Sequence, residues 1–219
     1  MDKKISNKKL PVFLLTITNE EQDSEVNKVS FVAEPAIEIN WFAFDSEGAP
    51  KKFEFKTQDK QKRNVIGPLM VPNLPVYRKA KENMPECYVM MNSDTIEVAE
   101  QKFMKRQYNN QINANHSDNV DGAYVIESWI IEDPAIDKSA KYGYSLPKGT
   151  WMGVIHCEDE QFWGDYIQTG ELKGFSVEGA FNYGPQVGNK ELNMESKFSS
   201  EDPISLDELA DYIVELSKK

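Results

Sequence analysis

Short extended runs follow one another so closely along this chain that few parallel crossovers fit between them. Strand-like runs occupy residues 11–18 (PVFLLTIT), 29–44 (with Pro35 as a break), 53–56 (FEFK), 86–92 (ECYVMMN), 123–131 (AYVIESWII), 150–157 (TWMGVIHC) and 174–181 (GFSVEGAF). A parallel pair needs a connection of a dozen or more residues, usually a helix, and most of these gaps are too short. The pattern therefore predicts a largely antiparallel barrel or sandwich with helices at its periphery.

Residues 64–78 carry prolines at 68, 72 and 75. Proline cannot donate to a ladder, so this stretch reads as an edge strand or an extended arm. A helix is expected from about Asp94 to Gln107, with Asp94 and Glu97 at capping-box spacing and Ile96, Ala99, Phe103 and Met104 recurring at helical intervals. A polar loop containing His116 follows. Asp159 can cap a short helix that Gly170 ends. Beyond Tyr183 the chain turns polar. Ser205 and Glu208 then fit a capping box for an amphipathic helix striped with Leu206, Leu209, Ile213 and Leu216.

The 219 residues carry a formal net charge of -11. That excludes phosphate-backbone binding as the main task, because counterion release needs clustered Lys and Arg, and no nucleic-acid partner is expected. No apolar run reaches membrane-spanning length and no leader-type segment is visible, which predicts a cytoplasmic protein without a membrane partner. Cys87 and Cys157 are the only cysteines; they make no disulfide framework and read as buried free thiols.

The nucleophiles and bases can be weighed in full, because there are only two histidines. Ser176 stands between Gly174 and Gly179 in a strand whose alternation sets Phe175, Val177 and Phe181 on one face and Ser176, Glu178 and Ala180 on the other. A hydroxyl on a rigid strand, with glycines leaving room for another backbone, suits attack on a peptide; an ordinary strand serine is the plain alternative. The spacing is not that of a nucleophile elbow, since the second glycine comes one residue late. His116, in its polar loop, can act as a general base. His156 lies on an apolar strand beside Cys157 and reads as structural. The two point to opposite faces and cannot share a metal, so no metal or other cofactor is expected. Glu127 falls by alternation on the face of Val125, Trp129 and Ile131, where a carboxylate needs a partner such as an imidazole. Glu178, two residues from Ser176 on the same face, is the second candidate for that role.

His116 in its loop, VIESWII, PKGTWMGVI, a short helix with Trp163 and GELKGFSVEG follow one another in an order that resembles the XkdF-like serine proteases of tailed phages, regarded as relatives of the prohead maturation proteases. RNVIGPLMVPNLPVYR and VSFVAEPAIE upstream are also similar, extending the resemblance over residues 29–184. VSFVAEPA resembles a strand that follows the nucleophile in better-known prohead proteases, whereas here it precedes it.

The resemblance implies an α+β fold: a mainly antiparallel closed β-barrel of assemblin type with two or three peripheral helices. It implies a Ser–His endopeptidase with Ser176 and His116 as the pair, to which the reading of residues adds Glu127 as the third member. The expected organisation is a tail and first strand over 1–28, a protease-like barrel over 29–184, and a linker with an amphipathic helix over 185–219. The implied task is cleavage of phage scaffold and capsid proteins inside the immature head, in the host cytoplasm, with homo-oligomerisation open. A head-assembly or scaffolding protein that keeps the fold without catalysis is the other reading.

Overall fold

The computed structural model describes residues 10–18, 24–33, 53–80 and 85–186. Twelve strands are present among them: β1 (Val12–Thr16), β2 (Glu25–Val32), β3 (Lys56–Asp59), β4 (Asn64–Met70), β5 (Val76–Arg78), β6 (Cys87–Met90), β7 (Ile112–Ala114), β8 (Asp118–Asn119), β9 (Ala123–Ile130), β10 (Trp151–Cys157), β11 (Gly174–Ala180) and β12 (Asn182–Gln186). Helix α1 spans Ser93–Lys105, and α2 spans Glu160–Phe162 and continues as a π-helical turn over Trp163–Gln168.

The closed barrel is not formed. The strands fall into three open four-stranded sheets, ordered β12-β1-β6-β5, β3-β4-β10-β9 and β11-β2-β7-β8. Closure requires one uninterrupted ladder around a ring, and here the ladder stops at the end strands of each sheet. The fold is mostly β with two short helices, and the predicted third helix at 205–216 lies outside the described residues. Pairing is mainly antiparallel, as expected, but β1–β6 and β2–β7 are parallel. Each of these joins segments far apart in sequence, so the long connection a parallel pair demands is available.

Three local expectations also change. β4 is not an edge strand: it lies between β3 and β10, and all its residues are buried. Pro68 is tolerated because pairing with β3 ends at Ile66, leaving β10 as the neighbour, and the β10 register shifts beside it. β3 begins only at Lys56, the last residue of the FEFK run, and continues through polar residues to Asp59; the Lys62 N–H bonds Asp59 Oδ1 at 3.0 Å in the turn that follows. Helix α1 is capped two residues earlier than predicted, by the Asn92 side chain accepting from Thr95 N at 2.9 Å.

The main core packs β2, β4, β10, β11 and α1 together. Phe31, Phe55 and Phe175 meet with ring centroids 5.2–6.0 Å apart, and Phe103 of α1 stands edge-on to Trp151 at 5.4 Å. Burying each such ring stabilises the fold by about 1.5–3 kcal/mol. The buried ammonium of Lys102 donates to the Thr18 and Ser24 carbonyls, both at 2.7 Å, and so ties the end of β1 to the start of β2. Cys87 and Cys157 are buried free thiols, and burial pushes both above the usual thiol range.

Candidate active site

β11 presents two unlike faces. Phe175 and Val177 pair in register with Phe31 and Val29 of β2 and point into the core. Ser176 and Glu178 therefore point the other way. Ser176 faces Ser30 across the ladder, and Ser30 in turn faces Asn113 of β7. A row of three polar residues thus crosses three strands, spaced by about 4.8 Å per strand. The row is buried, with Ser176 3 % exposed, Ser30 0 % and Asn113 1 %. The nucleophile candidate is consequently not the surface serine that alternation alone suggests.

The polar stretch read as a loop contains β7, a turn and β8. The turn is closed by Ser117 N–H to the Ala114 carbonyl at 3.0 Å, and its central residues Asn115 and His116 both have positive φ, 47° and 60°. Histidine and asparagine enter this left-handed region more readily than most residues, but at a cost in strain. Three bonds to β2 hold the turn there: Asn115 N–H to the Phe31 carbonyl at 2.8 Å, Ala33 N–H to Asn115 Oδ1 at 3.2 Å, and His116 N–H to Ser30 Oγ at 3.0 Å. The Ser30 hydroxyl also donates to the Phe31 carbonyl at 3.3 Å. His116 is thus anchored on the residue directly opposite Ser176.

Its imidazole turns toward β11. His116 Nδ1 lies 3.1 Å from Glu178 Oε1, and Asn113 Nδ2 donates to the same oxygen at 2.6 Å. With its proton on Nδ1, the ring donates to the carboxylate and leaves Nε2 free to accept. The His116 and Glu178 side chains are 41 % and 30 % exposed, so the cluster opens to solvent on their side while Ser176 lies deeper.

Glu127 is elsewhere. It lies on β9, in a different sheet, where Lys138 pairs with it and Gln58 Nε2 donates to it at 3.2 Å. Lys138 also sits 3.9 Å over the Trp129 ring. The alternation argument failed at Ile126: Val154 pairs with Glu127 and Ile155 with Val125, so Ile126 is the extra residue of a bulge. Beyond it the faces exchange, and Glu127 no longer shares that of Val125. His156 Nδ1 is 2.9 Å from Asn64 Oδ1, and its ring meets that of Tyr124 at a tilt of 60° with centroids 5.3 Å apart. Among the described residues no group of three or more His, Cys, Asp or Glu side chains comes together for a metal. The residues not singled out from sequence are Ser30 and Asn113; Ser30 lies within the VSFVAEPA stretch noted above, but only the strand pairing places it and Asn113 beside Ser176.

One protein-family model, described as "Putative phage serine protease XkdF", matches residues 52–183. That is more than half of the 219 residues, and the chain belongs to this family. No curated protein and no solved structure matches it.

Proposed function

We propose that the chain is a Ser–His endopeptidase in which Ser176 is the nucleophile, His116 the general base and Glu178 the carboxylate that orients it. The observation that carries this reading is the convergence on one sheet face: His116 is anchored on Ser30, the partner of Ser176, and its ring is held by Glu178, two residues along the same strand. In acyl transfer His116 Nε2 takes the Ser176 proton as Oγ attacks the scissile carbonyl, and Glu178 stabilises the imidazolium that results. Glu178 replaces Glu127 in the role because it is the carboxylate in contact with the imidazole. The substrates we assign are phage scaffold and capsid proteins, processed inside the immature head in the host cytoplasm.

Co-expression with neighbouring scaffold and capsid proteins, followed by mass spectrometry, tests this. Wild type should yield cleaved products, and Ser176→Ala should yield none while folding normally. The burial of Ser176 favours a second reading, a head-assembly protein that keeps the fold without catalysis. Uncleaved partners with wild type, and equal head assembly with Ser176→Ala, would establish that reading in place of the first.

A further inference from the structure

The row Ser176–Ser30–Asn113 contains one polar atom without an explanation. Asn113 Nδ2 donates to Glu178 Oε1, which fixes the orientation of the amide, and Asn113 Oδ1 is buried with no hydrogen-bond partner. An unpaired buried carbonyl oxygen destabilises a fold, and an apolar residue of similar size avoids that cost. The contacts of β7 with the apolar core come from Ile112 and Ala114, not from the amide.

What the amide supplies is the second donor on the one carboxylate oxygen that meets His116. Two donors converging on Oε1 stop the carboxylate from rotating away, and a third group outside the reacting pair commonly fixes an imidazole in this manner. We infer that Asn113 is a positioning residue for the Glu178–His116 pair, holding Oε1 on Nδ1 so that Nε2 stays the base. The inference rests on the Ser–His reading above and adds a residue to it. The orphaned Oδ1 is the accompanying cost, since a side-chain amide cannot bring its N–H without its oxygen.

The test uses a fluorophosphonate, which needs no knowledge of the natural substrate. Ser176 Oγ bonds to phosphorus, the P–F bond breaks, fluoride leaves and the serine proton passes to His116. Labelling of Ser176 is followed by mass spectrometry across pH 5 to 9, roughly the range in which an imidazole titrates, in wild type, Asn113→Asp and Asn113→Leu. Asn113→Asp keeps the shape, removes the N–H and adds a negative charge that favours imidazolium. It should label about tenfold or more slowly, with the acid limb of the profile moved to higher pH. Asn113→Leu removes donor and orphan together, and should label as slowly while melting no lower than wild type. Wild-type rates and an unmoved limb in Asn113→Asp, with Ser176 still labelled in wild type, would overturn the positioning role and leave the protease reading standing. No labelling of Ser176 in the wild type would remove both. Failure of both variants to fold would make Asn113 structural and overturn the inference.

Discussion

A methyl group added to Gly179 would lie 2.0 Å from the backbone oxygen of Glu25, closer than any two such atoms can approach. The reason is a bulge in β2: Glu178 pairs with Lys28 and Gly179 with Val26, so Asn27 has no partner. The second glycine of GFSVEG therefore serves a close backbone approach one residue beyond Glu178. Gly179→Ala should push β2 and β11 apart at that point. Overpacking of this kind costs about 1–3 kcal/mol, which lowers Tm by several degrees in a chain of this size. A melting curve superimposable on wild type would contradict the contact.

The two glutamates should separate in mutagenesis. Glu178→Gln removes the charge that faces His116 and Asn113, and proteolysis or Ser176 labelling should fall by about two orders of magnitude or more. Glu127→Gln alters a pair with Lys138 on another sheet, and its rate should stay within about twofold. Its stability should change by less than about 1 kcal/mol, because the pair is partly exposed. Rate measurements on the two variants, side by side, decide the assignment.

His116 adopts a left-handed backbone conformation, which asparagine enters with ease. His116→Asn should keep the turn, leaving stability within about 0.5 kcal/mol of wild type, while activity falls by orders of magnitude for want of a base. His116→Val should lose activity and stability together, because a β-branched residue is a true outlier at positive φ. Denaturant unfolding of both variants, set beside their labelling rates, checks the distinction.

Alkaline conditions should destabilise the fold in two stages. Cys87 and Cys157 are held above the usual thiol range by burial. Tyr144 is likewise pushed up by burial, and its hydroxyl lies 2.7 and 2.8 Å from the Glu54 and Ile66 carbonyls. Each raised group keeps its proton in the folded chain after the unfolded chain has lost it. Its stabilising contribution is complete below the unfolded pKa and declines as pH rises above it. The denaturation midpoint should fall first above about pH 8.5, as unfolded thiols ionise, and more steeply above about pH 10, as unfolded tyrosines do. A midpoint flat from pH 8 to 11 would contradict the burial of these groups.

Strong local patterns made much of the fold readable. The runs at β9, β10 and β11 alternate or carry β-branched and aromatic residues, and α1 repeats its apolar residues at helical intervals, so each was visible in the chain. Pro68 misled because a proline in a central strand is acceptable where one neighbour has already ended, and only the ladder reveals where that is. β7 and β8 escaped notice because Asn113, Asp118 and Asn119 are poor strand formers; β2 and the turn hold them in place. Ser176 and His116 were visible as residue types, and Glu178 stood second as the carboxylate. Glu127 was preferred because unbroken alternation sets it on an apolar face; the bulge at Ile126 exchanges the faces of β9, and a bulge leaves no mark in alternation.

The polar row and its histidine come from three stretches of chain, around residues 30, 113–116 and 176–178. None of them holds the cluster by itself, and β2 is the common scaffold on which the other two assemble. Bringing such distant segments together costs loop-closure entropy before their contacts repay it. A chain still being synthesised, or one that has collapsed without docking β11 on β2, has the serine and the histidine but no arrangement of them. If Ser176 and His116 are the proteolytic pair proposed above, the docking of β11 on β2 separates making the chain from arming it.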